Sequence, residues 1–140
     1  MSKNPLQTSH RQEPVSIRGE RAQALVESAI IFPLLVLLLL AVIQFGIVFK
    51  HYVTVTDAAR SGARTAAVSR AQVDPPKVAE DAARASAPDL DQSQLDIVVN
   101  STFVQGSDVI VTASYPYSVS LLGVVVKSGR LSSAITERVE

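Results

Sequence analysis

The stretch from Ser28 to Phe49, SAIIFPLLVLLLLAVIQFGIVF, constrains this chain more than any other. Its 22 residues carry no charge and a single amide, Gln44. As a helix rising about 1.5 Å per residue they reach roughly 33 Å, enough to cross a hydrocarbon core of about 30 Å. Backbone groups in lipid must bond within their own segment, so the span is helical. A core helix of a small soluble domain is amphipathic, whereas this run is apolar on every side. A cleaved secretory signal has a shorter apolar region that ends at small residues. Here bulky Ile43, Phe45, Ile47 and Phe49 fill the far end. The reading is a retained membrane anchor.

Composition narrows what the remainder can do. The chain has 140 residues, 47% hydrophobic and 19% charged, which is too apolar for a disordered chain. Lys+Arg 13 balances Asp+Glu 13, so no overall basic field exists to hold nucleic acid. Cys is 0, which removes disulfides, thiolate metal sites and a cysteine nucleophile. The two histidines are His10 and His51, too few for a histidine-rich metal site. Asp89, Asp91 and Asp96 lack the glycine and terminal glutamate of a calcium loop. Asn100-Ser101-Thr102 matches a glycosylation sequon, a pattern common by chance. The expectation is a protein that is not an enzyme, with no catalytic, cofactor-binding or metal residues and no cofactor.

Charge leaves the orientation open. Lys3, Arg11, Arg18 and Arg21 precede the span, and Lys50, Arg60, Arg64 and Arg70 follow it closely. The part beyond the membrane, from His51 to Glu140, has eight Lys/Arg against ten Asp/Glu and is not a polybasic lipid binder.

Glu27 stands one residue before the uncharged run. By itself it reads as an interfacial carboxylate near the helix N-terminal end. Its surroundings say more: Arg18-Gly19-Glu20-Arg21-Ala22-Gln23-Ala24-Leu25-Val26-Glu27-Ser28-Ala29, then Ile30-Ile31-Phe32-Pro33. Farther on come Gln44-Phe45-Gly46, Asp57-Ala58-Ala59-Arg60-Ser61-Gly62-Ala63-Arg64 and Ala66-Ala67-Val68. In this order and spacing the chain resembles TadE-like proteins, pseudopilins of tight-adherence (Flp) pilus assembly. The similarity is close over residues 18–70 and looser beyond, where Ser114-Tyr115-Pro116-Tyr117 precedes Leu121-Leu122-Gly123.

The resemblance implies processing by a prepilin peptidase between Ala22 and Gln23, leaving Glu27 as the fifth residue of the mature chain. Ala22 departs from the glycine usual at that position and adds a Cβ there. The resemblance also gives Glu27 the role of subunit-assembly carboxylate, neutralising the new N-terminal amine of a neighbouring subunit. A carboxylate carried into lipid is costly unless paired, so an ammonium suits it. Without the cut, Arg21 is left to pair with Glu27 or to snorkel to the headgroups.

Beyond the membrane, His51 to Arg70 holds no helix breaker except Gly62 and reads as a stalk continuing the anchor. Ala58, Gly62 and Ala66, with Ala59, Ala63 and Ala67, form a small-residue stripe at helical spacing. Such a stripe admits a second helix or a packing face of the same chain; both remain open. Asp74 caps a short helix over 76–85, with Pro75 beside it, and Pro88 stops it. Residues 89–94 form a polar loop. The period then becomes two. Leu95 to Phe103 and Val109 to Tyr115 read as a hairpin around Gln105-Gly106-Ser107-Asp108, and Pro116 ends the ladder. Leu121 to Val126 is strand, loop against the stalk, or lipid contact. Lys127-Ser128-Gly129 turns the chain into a third strand over 131–139.

The fold expected is α+β: a long N-terminal transmembrane helix continuing into a stalk, a short helix and an antiparallel sheet of about three strands. The segments are 1–22, a cytoplasmic leader-like piece; 23–70, the transmembrane and stalk helix with its core at 28–49; and 71–140, an extracytoplasmic head. The resemblance implies a single-pass protein of the bacterial inner membrane, N-terminus cytoplasmic, with incorporation into a pilus as a further step. Its implied partners are other pilus or pseudopilin subunits, the inner-membrane assembly platform, a prepilin peptidase and membrane lipid. Two alternatives stand beside the minor pilin: an uncleaved scaffold subunit of the same export apparatus, and a membrane-tethered enzyme or ligand-binding domain.

Overall fold

The computed structural model describes residues 17–140 and is α+β, as expected. The leader-like segment lies, up to residue 16, outside the described residues. Helix α1 runs over Ile17–Val68 and α2 over Pro75–Ala85. Strands β1 (Asp96–Ser101), β2 (Asp108–Leu121) and β3 (Val124–Arg138) form one antiparallel sheet in that order. Two compact units divide at Leu37/Leu38. Helix α1 begins at Ile17 and continues through Pro33, an interior position where the missing N–H forgoes one i→i−4 bond. Its most apolar 18-residue window has a mean hydropathy of 2.8, and none of that window is buried.

Past the apolar run, α1 changes character because its side chains shrink. Val55, Ala58, Ala59, Gly62, Ala63, Ala66 and Ala67 are buried. They pack with Ala79 and Ala83 of α2, with Val109, Val111 and Ala113 of β2, and with Leu95 and Val139. The largest fully buried side chains are valines, so this is a core of methyls rather than of large hydrophobes. A Cβ on Gly62 would lie 3.0 Å from Val111 Cγ1, 3.1 Å from Ala83 Cβ and 3.2 Å from the Ala79 carbonyl oxygen. Two of those neighbours cannot rotate away. The stripe thus packs within its own chain, against both α2 and the sheet.

Capping positions α2. The Asp74 side chain accepts the Lys77 N–H at 3.2 Å, and Pro75 and Pro76 open the helix where no N–H is needed. Arg84 then ties α2 to the start of β1: it donates to Glu80 and to the carbonyls of Gln92 and Leu95, each near 3 Å. The polar loop folds around Asp91. Its carboxylate accepts the Ser93 hydroxyl at 2.7 Å, the Ser93 N–H at 2.9 Å and the Gln94 amide at 2.9 Å. Those donors, the Ser93 hydroxyl foremost, hold the Asp91 carboxyl below the ordinary carboxylate range.

The sheet corrects two expectations. Pro116 does not end the ladder: it pairs in register with Arg130, and β2 runs on to Leu121. Beyond Ser114, β2 has only β3 beside it, and proline is tolerated on such an open side. Lys127-Ser128-Gly129 does not turn either; these residues pair with Val119, Ser118 and Tyr117. Gly129 serves the Tyr117 ring, which leaves only 3.0 Å between its Cε1 and a Cβ placed on Gly129. The reversal falls earlier, at Leu122-Gly123, between the paired Leu121 and Val124. The Gly106 turn lies where expected, and its N–H donates to the Val139 carbonyl at 2.8 Å. Glu140 in turn donates to the Ala67 carbonyl at 2.9 Å, tying the end of the sheet to the end of α1.

Two outcomes follow from this packing. Gly62→Val should lower the urea stability of the head in detergent micelles by about 2 kcal/mol, because overfilling a packed core forces backbone shifts. Gly46, with nothing within 4 Å of an added Cβ, is the control: Gly46→Ala should leave the same midpoint unmoved. For Asp91 the native carboxyl titrates below its unfolded value. Its contribution is therefore present above the unfolded value and lost as pH falls through the native one. Urea midpoints of the protein and of Asp91→Asn should differ at neutral pH and converge as the acid is titrated.

Candidate functional site

Residues 18–33, which hold Ala22, Gln23 and Glu27, lie on a fully helical backbone at the start of α1. From Gly19 to Leu39 every residue is exposed, including Leu25, Ile30, Phe32 and Leu34, each about 70% accessible. A helix with this much open apolar surface requires an apolar surrounding, either lipid or other helices. Ala22 and Gln23 sit in consecutive positions of α1, both exposed. Gln23 Nε2 donates to Glu27 Oε1 at 3.2 Å across one turn. Arg21, six residues before Glu27 and on a different helix face, makes no ion pair with it; the i,i+4 amide is the nearer partner. Glu27 thus carries a neutral hydrogen-bond donor and no cation among the described residues. Its charge remains available to a partner.

The small-residue stripe is not part of this exposed surface. Ala58, Gly62 and Ala66 are covered by the chain's own head. Arg60 flanks the stripe and pairs with Asp57 at 3.3 Å, and Arg64 is exposed.

Asp89, Asp91 and Asp96 of the head are taken up by structure. Asp89 pairs with Lys50 at 2.9 Å, Asp91 holds its turn, and Asp96 meets Arg130 at 3.6 Å. Among the described residues no group of three or more His, Asp or Glu converges on a common point. A polar cleft of about 480 Å³ lies between Arg84, Gln92, Asp96 and Arg130, but both arginines already have carboxylate partners.

A second cleft, of about 360 Å³, is apolar. Ala41, Phe45 and Val48 of α1 line one side; Tyr117, Val119, Leu121, Lys127 and Leu131 of the hairpin line the other. At its end the hairpin turns through Leu122 and Gly123, at φ 52 and 84. Two consecutive positive φ values in a two-residue loop make a type I′ turn, which favours Asn-Gly. Gly123 fits that preference and Leu122 departs from it, so the dipeptide carries no recognised hairpin signal in the sequence. Val126 is left over between the pairs Val119–Lys127 and Ser120–Val125, which forms a bulge.

A family model described as TadE-like protein matches residues 22–64. No curated protein and no solved structure gives a match to the chain. The matched segment opens at Ala22, contains Glu27 and the whole apolar run, and ends within the small-residue stripe.

The turn can be tested directly. Leu122→Asn should raise the unfolding midpoint of the head, by about 1 kcal/mol, because asparagine tolerates the left-handed backbone better than leucine. Thermal denaturation in detergent would read the shift.

Proposed function

We propose that this chain, TadE-like over residues 22–64, is a membrane-anchored structural subunit of tight-adherence pilus assembly, a pseudopilin or minor pilin whose work is association rather than catalysis. The observation that carries the reading is the exposed start of α1. There an all-round apolar helix presents Glu27 at its rim with only Gln23 bonded to it. In the orientation proposed, the N-terminus is cytoplasmic and the head lies outside the inner membrane.

The physical logic is that of a stored subunit. The bilayer covers the apolar helix until it is drawn into an assembly. Leaving lipid for water costs about 0.8 kcal/mol for each CH₂ exposed, so a helix departs only as it packs against others. Glu27 supplies the specific term. In lipid its carboxylate needs a cation, and the amine of a processed neighbour provides one without adding a side chain. The partners proposed are other pilus or pseudopilin subunits, the assembly platform and a prepilin peptidase acting between Ala22 and Gln23.

A second reading has its own observation. Ala22 occupies the position where a glycine is usual in the resemblance, and its methyl stands against processing. An uncleaved chain would be a scaffold of the apparatus that never polymerises. Mass spectrometry of the N-terminus recovered from cells decides between them: a chain starting at Gln23 supports the pilin-like subunit, and one starting upstream supports the scaffold.

Glu27→Gln should leave membrane insertion intact, since it removes a charge from a helix already apolar enough to span, and should reduce co-purification with pilus subunits severalfold. Undiminished co-purification would overturn the role of the carboxylate. The membrane fraction of each variant provides the control.

A further inference from the structure

The hairpin tip from Leu121 to Val126 contains no polar side chain. Leu122, Val124, Val125 and Val126 are 76%, 67%, 60% and 61% exposed. Hairpin ends in water ordinarily carry polar turn residues and charges that discourage edge association. We propose that this tip is a second membrane contact, seated in the interfacial layer of the leaflet on the head side of α1. The inference rests on α1 being the membrane anchor.

Location is the first argument. The distal hairpin faces α1 across the apolar cleft at Ala41, Phe45 and Val48, inside the uncharged run rather than beyond it. From Val48 back to Ala41 is seven residues, or about 10 Å along the helix axis. A bilayer that covers α1 as far as Phe49 therefore also meets the tip. Interfacial elements sink about 5–10 Å into the boundary between headgroups and acyl chains, which is the same depth. The hairpin has open edges with unpaired backbone groups, which confine it to that layer and keep it out of the hydrocarbon core.

The turn is the second argument, and it is independent of the first. Leucine in the left-handed region carries a conformational cost that asparagine or glycine at the same position would largely avoid. The structure nevertheless places Leu122 at the apex, at φ 52, with its side chain exposed. An apolar residue held at a conformational cost with 76% of its surface exposed is explained by an apolar surrounding.

The residues around the tip fit the same boundary. All three tyrosines of the chain, Tyr52, Tyr115 and Tyr117, lie on α1 just past Phe49 or on the hairpin strand beside it. Tyr115 stacks edge-on against His51, with centroids 5.5 Å apart. Lys50 is exposed at the end of the apolar run, and Lys127 follows directly on Val126 without an ion pair among the described residues. Tyrosines and lysines that bracket apolar surface are the usual markers of headgroup depth.

The test uses the full chain, whose lack of cysteine permits single labels. Leu122→Cys, and separately Val125→Cys in case the turn tolerates no substitution, would carry an environment-sensitive fluorophore. The protein would be reconstituted in phosphatidylethanolamine–phosphatidylglycerol vesicles. Labels at Leu37→Cys, in the apolar run, and Ser107→Cys, in the turn just before β2, provide references. The expected result is a blue-shifted tip label, quenched by shallow nitroxide lipid and protected from aqueous iodide, with Ser107 open to iodide. A tip label quenched by iodide while Leu37 stays lipid-quenched overturns the proposal and leaves the anchor standing. A tip label shielded from both quenchers means that a second copy covers it, which also overturns the proposal. Iodide quenching at Leu37 removes the anchor reading, and the proposal with it.

Discussion

Close approach governs the head. Where α1 presents only glycine and alanine, a strand and a second helix come near enough for methyl groups to meet methyl groups, and Gly62 has no room for one more. Side chains of this size bury little area each, so the core depends on fit rather than on bulk. The consequences spread outward. The contact at Gly62 seats Val111 of β2 and Ala83 of α2 together, and the registers of β1 and β3 follow from β2. Hydrogen bonds then close the assembly at its margins, through Arg84 on one side and the Glu140–Ala67 contact on the other.

The apolar residues are used in two different ways. In the head, alanines and valines such as Val55, Val109 and Val111 are buried, and exposed valines such as Val68, Val73, Val98 and Val104 are scattered singly. Along α1 from Leu25 to Leu39, and at Leu122, Val124, Val125 and Val126 of the hairpin tip, the large ones are exposed together. A soluble domain does not leave surface of that kind open. The two open regions meet different constraints. A helix satisfies its own backbone and can enter hydrocarbon, whereas a two-stranded ribbon does not and stops at the boundary. The same preference for lipid thus has two depths, set by hydrogen bonding rather than by hydrophobicity.

Much was legible beforehand because the signals are local. An uncharged run of 22 residues has one solvent that suits it. Asp74-Pro75 announces a helix start through a cap and a pre-set φ, and α2 begins at Pro75. Alternation after Leu95 announces strands. The candidate carboxylate is equally local: Glu27 stands out by its position at the lip of the run, and its bond to Gln23 follows from helical spacing. The errors are also physical. Pro116 and Lys127-Ser128-Gly129 have the composition of breakers, yet both sit in paired strand. Proline breaks a ladder only where a neighbour needs its N–H, and glycine signals a turn only where no ring lies across it. Neither condition is written in the residues themselves.

By itself the sequence determined which segment seeks lipid, where α2 starts, that the second half is a sheet, and which acid lies at the membrane rim, because each depends on chemistry within a few neighbouring residues. Only the tertiary structure decided three things: that the small-residue stripe is covered by its own head, that the reversal falls at Leu122-Gly123, and that the hairpin lies beside Ala41 and Phe45. Those depend on groups far apart in the chain competing for the same space, and no local pattern encodes the winner.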